Sequence, residues 1–265
     1  VKRKGEKILK PVHPNSGIAA AYRAKLEAIV EAMQRSYVYF IKAQYRETPP
    51  RMAQDETPAK ALEREMSQLG KRWQSRIDEA APKLARWFAK STSAMSSASL
   101  KKILKDAGMT VEFKMTPAMR DVFDATVAEQ VGLIKSIASQ YHSEVQGMVQ
   151  RSVAAGRDLG TLAKDLEQRY GITKRRAAFI SLDQNNKSTA VFTRVRQQEA
   201  GIEKAIWLHS HAGKAPRVTH LANSGKPYDI ATGWFDPDPK VNRFIFPGQL
   251  PRCRCTSKSI VKGFS

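Results

Sequence analysis

Cysteine is nearly absent from this sequence: 265 residues contain two, Cys253 and Cys255. Two thiols separated by a single residue make no disulfide framework, because a bridge between i and i+2 closes a strained ring. The chain therefore reads as a protein made in a reducing cytoplasm rather than as a disulfide-stapled secreted domain. Long apolar runs are missing as well. No stretch approaches the roughly 20 residues that a membrane-spanning helix needs. The basic opening Val1-Lys2-Arg3-Lys4-Gly5-Glu6-Lys7 leads into no apolar segment of signal-peptide type. Glycine-rich phosphate loops, dinucleotide fingerprints and the Gly-x-Ser-x-Gly elbow are all absent, which argues against the common nucleotide-binding and hydrolase classes.

Acidic residues are scarce beside basic ones, 25 against 45, giving a net charge of +20 and a pI near 10.1. An excess of this size points to nucleic acid, an anionic surface or an acidic partner. It is concentrated toward the two ends: residues 1–114 hold 23 basic against 12 acidic side chains, residues 115–200 hold 12 against 9, and residues 201–265 hold 10 against 4. Solvated helix faces need no such imbalance, so contact with phosphates is the expectation, with Lys2, Arg3, Lys4, Lys7, Lys10, Arg252 and Arg254 touching DNA or an acidic surface.

Residues 1–14 end in Pro11-Val12-His13-Pro14 and read as an extended basic arm ordered by a partner. A helix is predicted from Asn15-Ser16, with Ile18, Tyr22, Leu26, Ile29, Met33, Tyr37 and Phe40 on one face, ending at Thr48-Pro49-Pro50. Thr57-Pro58 then caps a second stripe of Leu62, Met66, Leu69, Trp73, Ile77, Leu84 and Phe88, which Pro82 should kink or break. Ser91 to Ser99 reads as a low-complexity linker, residues 100–106 as a short helix stopped by Gly108, and Val111-Glu112-Phe113 as a brief strand. Thr116-Pro117 starts the next helix, which stops at Gly156. Residues 158–169 form a short helix closed by Tyr170-Gly171, and Thr173 caps another that Gly201 stops. Within it, Asp183-Gln184-Asn185-Asn186-Lys187 is a polar block of poor helix formers whose hydrogen bonds must offset the cost.

After Gly201 the texture changes. Ala205-Ile206-Trp207-Leu208-His209 and Arg243-Phe244-Ile245-Phe246 read as strands, and Pro237, Pro239, Pro247 and Pro251 exclude long helices. The fold class is mainly α: helical N-terminal (15–114) and central (115–200) regions with a small α+β module at 201–265.

That module holds three of the five histidines and both cysteines. Cys253 and Cys255 with His220 and either His209 or His211 would make a Cys2His2 set, whose soft thiolates and imidazoles suit tetrahedral zinc. Equally open is a plain packing role: the two cysteines face one side of an extended segment, Arg252 and Arg254 face the other, and His220 makes a hydrogen bond inside the fold. A third alternative is a nuclease using His209, His211 or His220 as acid or base with Asp229 and Arg217 on the phosphate. A fourth is a free-standing DNA-binding protein.

Several segments follow one another in a recognisable order. They are Thr116-Pro117-Ala118-Met119-Arg120, Val131-Gly132-Leu133-Ile134-Lys135-Ser136-Ile137, Gly156-Arg157-Asp158-Leu159, Lys174-Arg175-Arg176-Ala177, and the 183–187 block. Trp207, Pro216-Arg217, His220, Gly225-Lys226, Pro247-Gly248 and Cys253-Arg254-Cys255 come after them. From Thr116 onward the chain resembles the phage Mu protein F-like, head-morphogenesis (minor head protein) family, with Val131 and Gly132 departing from its pattern. The resemblance implies a structural, non-enzymatic virion protein, made in the bacterial host cytoplasm and present in few copies near the portal vertex. It also implies the portal protein, major capsid or scaffolding protein and genomic double-stranded DNA as partners, a part in packaging or ejection, and no membrane.

Overall fold

The computed structural model describes residues 5–47, 58–156, 158–211 and 215–263. The protein is mainly α-helical with a small C-terminal α+β module. The elements in chain order are β1 (Glu6–Ile8), α1 (Ser16–Glu47), α2 (Pro58–Asp106), α3 (Pro117–Ala154), α4 (Leu159–Glu199), β2 (Lys204–Leu208), α5 (Val218–Ala222), β3 (Pro227–Asp229), β4 (Trp234–Asp236), β5 (Arg243–Ile245) and β6 (Thr256–Lys262). None of the described helices is long and apolar enough to cross a membrane.

Two compact units emerge, each discontinuous in sequence. One comprises the described residues of Val1–Ala19, Trp87–Thr126 and Leu182–Ser265, the other those of Ala20–Arg86 and Val127–Ser181.

The second unit is built from helical stripes. In α1 the buried positions are Tyr22, Leu26, Val30, Met33, Tyr37 and Ile41. Their steps of three and four leave Ile29 and Phe40 half-buried; a stripe read by eye drifts by one residue where 3.6 residues per turn favour the neighbour. In α2, Leu62, Met66, Leu69, Trp73, Ile77 and Ala81 face the core. Pro82 does not break the helix. It lies on the exposed side, one turn after exposed Asp78, so water can solvate the carbonyl that loses its donor. Polar groups in this core are paired: Tyr22 donates to Gln130 Oε1 at 3.0 Å, Tyr141 donates to Gln34, and the Tyr37 hydroxyl meets His142 Nδ1 at 2.6 Å. Burial lowers the pKa of His142.

In the first unit β6 is central. The antiparallel sheet has the order β1-β6-β2-β3, and β4 and β5 form a separate antiparallel pair. Ile8 pairs with Ile260, Lys204 also with Ile260, and Leu208 with Thr256. The N-terminal arm is thus corrected. Residues 6–8 are a strand of this protein's own sheet, and Leu9 and Val12 are buried in its core. The apolar residues between the lysines, not a partner, order the segment. Lys2, Arg3 and Lys4 lie outside the described residues, as do Thr48-Pro49-Pro50 and Thr57. Lys7 is exposed, with Nζ 3.4 Å from the Ala107 carbonyl, and Lys10 is exposed.

Other expectations are also corrected. Residues 91–99 belong to α2. Thr92, Ser93 and Ser96 are buried, and Ser97 Oγ accepts from Arg196 Nε at 3.0 Å, so small side chains there serve close packing rather than flexibility. Residues 111–113 form no strand; Phe113 lies beneath the Arg196 guanidinium. The chain does not stop at Tyr170-Gly171 but runs through it as one helix. Thr173 is no cap, because its hydroxyl donates back to the Arg169 carbonyl at 3.0 Å, a bond open to threonine in mid-helix. The starts at Asn15 and Thr116 agree with expectation: each side chain accepts a bond from the backbone N–H three residues on.

A Cβ on Gly70 would lie 2.4 Å from the His142 ring, which the Tyr37 bond holds in place. Gly70→Ala should lower the unfolding free energy in urea by about 1–3 kcal/mol, the usual cost of overpacking. Most of that loss should vanish in combination with His142→Ala. An unchanged midpoint for Gly70→Ala alone would mean that the ring swings clear.

Candidate metal centre

Short elements of the first unit converge on one buried point. Trp207, fully buried at the end of β2, sits between His220, Trp234 and Tyr228 with ring centroids 5.1, 5.3 and 5.9 Å away. His220 comes from α5. Cys253 and Cys255 come from the segment entering β6, and Asp236 ends β4.

Backbone geometry aims the cysteines. Arg252 takes a positive φ of 61°, uncommon for a residue with a Cβ and a local cost. Cys253 N–H bonds the Leu250 carbonyl at 2.9 Å, closing the turn. Arg252 N–H donates to Asp183 Oδ1 at 2.5 Å. Arg217 Nη2 donates to the Pro251 carbonyl at 2.9 Å, tying the residue before α5 to the same turn. Close packing adds a further restraint: a Cβ on Gly248, which has φ of 79°, would lie 2.8 Å from Ala190 Cβ. The polar block of α4 therefore holds the cysteine segment in place. Asp183 takes the turn's N–H, and Asn185 Nδ2 donates to the Asn15 carbonyl at 3.0 Å.

The resulting cluster joins His220, Cys253 and Cys255, all buried, with one ligand atom from each within 4.8 Å of the others. His220 Nδ1 lies 3.5 Å from Cys253 Sγ and 3.7 Å from Cys255 Sγ. An imidazole nitrogen has one lone pair and satisfies one S–H donor, so two sulfurs at similar distance are poorly explained by hydrogen bonding alone. A tetrahedral ion with M–N and M–S bonds of about 2.0 and 2.3 Å would separate nitrogen from sulfur by about 3.5 Å. The three residues can hold a metal ion.

The far side of the ring fits the same reading. His220 Nε2 lies 3.2 Å from Asp236 Oδ2, the two side chains being 2% and 0% exposed; the contact is close without hydrogen-bond alignment, and neither atom has a hydrogen-bond partner among the described residues. A carboxylate behind an imidazole fixes the tautomer that leaves Nδ1 free to ligate. Between the thiols, hydrogen bonding pulls Cys253 down to about 4, against burial and with help from His220, and pushes Cys255 up, which burial reinforces. No disulfide joins them.

The remaining candidates are placed apart. His209 is buried, its Nδ1 accepting from the His211 N–H at 3.1 Å, and its pKa is lowered first by burial and then by His211. His211 is exposed, with a positive φ of 53°. Neither joins the three-residue cluster. Asp229 caps a turn, accepting from Ala231 and Thr232 N–H groups at 2.8 and 2.9 Å, and Arg217 is occupied by Pro251. Arg252 and Arg254 are exposed, and the cysteines between and beside them are buried. Sequence reading missed Asp236. Its one mark is the Trp-Phe-Asp alternation before Pro237, which turns it inward.

The chain is similar to an uncharacterized protein of Haemophilus influenzae, 31% identical over 203 residues that make up 74% of this chain and 42% of that protein. The chain thus spans less than half the length of the curated relative it matches. No family model matches it, and no solved structure matches it significantly.

Asp183→Ala leaves the Arg252 N–H without its acceptor and should cost about 1–3 kcal/mol in urea unfolding. Asp183→Asn keeps an oxygen there and should cost less. Equal losses in the two variants would assign the effect to charge rather than to the bond.

Proposed function

We propose that this chain is a structural minor head protein of the phage Mu protein F-like type. In this reading it acts near the portal vertex in head assembly, and its C-terminal module is folded around a zinc ion. What supports the reading is that the segments carrying the family resemblance serve one structural centre. Asp183 and Arg217 hold the cysteine turn, Gly248 packs on α4, Trp207 packs on His220, and His220 faces Cys253 and Cys255. Residues recurring in that order have a shared physical task, which is to hold a small module together.

His220, Cys253 and Cys255 would hold the ion, with Asp236 orienting His220. When bound, the ion supplies a cross-link between α5 and the segment entering β6. A module with short strands and a thin core benefits from such a link, because the binding free energy adds to folding. The protein's own residues do the rest: Arg217 and Asp183 position the turn, and Trp207 and Trp234 exclude water from the ring.

The net charge of +20 suits a shell filled with DNA, and contacts through exposed Lys10, Arg252 and Arg254 would be sequence-independent and weaken with salt. The portal protein, the major capsid or scaffolding protein and genomic DNA are the partners in this reading, with packaging or ejection as the step aided.

Two measurements test it. Metal analysis of protein purified without chelator should find stoichiometric zinc, with affinity falling about 10- to 100-fold in Asp236→Asn; protein that stays folded and metal-free after zinc addition would remove the ion. Expression alongside the cognate head genes should place the chain in purified particles at fewer copies than the major capsid protein. A chain that appears neither in particles nor on portal rings would overturn the virion role.

A further inference from the structure

The first unit carries a second site, separate in chemistry from the thiol cluster. A cavity of about 30 Å³, open to solvent, lies between α4, the Pro247 turn and the start of β6. Arg194 and Arg254 line it together with Asn186, Thr189 and Thr193, and no acidic side chain does so.

Arg194 is half-buried, and its guanidinium lies 3.8 Å over the centre of the Phe246 ring. No described carboxylate pairs with it. Face-on stacking leaves the in-plane N–H donors of a guanidinium available, and the planar fork matches the oxygens of a phosphate group. Thr193 is 4% exposed, yet its Oγ1 has no hydrogen-bond partner among the described residues. A buried hydroxyl left unpaired is destabilising. Arg194, without a counterion, and Thr193, whose hydroxyl is buried without a partner, thus line the same small cavity.

We propose that this cavity binds a phosphate group, with Arg194 as its principal donor, Thr193 completing the inner shell and Arg254 closing the mouth. The volume selects among phosphate ligands. It has room for about two waters, so it takes the oxygens of one phosphate group and leaves a nucleoside outside. Both inorganic phosphate and a backbone phosphate of a nucleic acid meet that description. The inference stands independently of the virion role; Cys255 also lines the cavity, so the site adjoins the thiol cluster.

Calorimetric titration of the full chain with inorganic phosphate, at ionic strength held constant with chloride, tests it. Saturable binding is expected, weakened about tenfold or more in Arg194→Gln, the loss of one charge-assisted hydrogen bond. A short DNA duplex forms the second arm. If the natural ligand is a backbone phosphate, Arg194→Gln also loses duplex affinity and phosphate competes with the duplex; if it is free phosphate, duplex binding is unchanged while phosphate binding falls. Should Arg194→Gln unfold, Arg254→Gln, at an exposed position, provides the same readout in a folded protein. No saturable phosphate binding by the unaltered chain, or binding equally tight in the folded variant, overturns the proposal.

Discussion

Four groups that favour water, the His220 imidazole, the Asp236 carboxylate and the thiols of Cys253 and Cys255, are withdrawn from it together. Burying one such group without a partner costs about 1–3 kcal/mol, and more if it is charged. The surrounding structure is arranged around meeting that demand. Asp236 faces the outer nitrogen of His220 and the sulfurs face the inner one. His220, Asp236 and the cysteine pair come from three different segments, so the arrangement also cross-links α5, β4 and the entry to β6. Elements of three to seven residues have little stability of their own. Their positions follow from what they bring to the centre.

The polar block of α4 belongs to the same logic. Asp183 and Asn185 are poor choices for a buried helix on propensity alone. Asp183 takes the backbone N–H that the turn leaves open at Arg252, and Asn185 adds a second donor to the Asn15 carbonyl, which already accepts from Ala19 N–H. Exchanging Asp183 for an apolar residue would improve the helix and leave the Arg252 N–H without its acceptor. Two to three turns further along, the same helix presents Thr193 and Arg194 to a cavity with no acidic wall. A single helix thereby supports the turn that carries the thiols on one stretch and a basic recess on the next.

Legibility in the sequence followed the range of the interaction. Local signals read correctly: the cap-forming Asn15 and Thr116, the stop at Gly201 and the apolar stripes of α1 and α2, with Val30 and Ile41 displacing Ile29 and Phe40. Composition misled where residues serve tertiary packing. The Ser/Ala run at 91–99 looks like a linker because small side chains also suit linkers, and Tyr170-Gly171 looks like an ending because glycine usually is one. Pairings distant in sequence were invisible. Nothing in Glu6-Lys7-Ile8 announces a partner at residues 260–262. The grouping of His220 with both cysteines was readable as a possibility from residue type. Its closure depends on the turn at Arg252 and on Asp236, neither of which any spacing rule marks.

The central claim is that a metal ion occupies the point where His220 Nδ1 faces both sulfurs. X-ray absorption at the zinc edge of the full chain, purified without chelator and supplied with equimolar zinc, tests it most directly. The account predicts a first shell with two sulfurs and at least one imidazole nitrogen, and loss of one sulfur in Cys253→Ser. A shell of oxygen and nitrogen alone, identical in the unaltered chain and the variant, would contradict it.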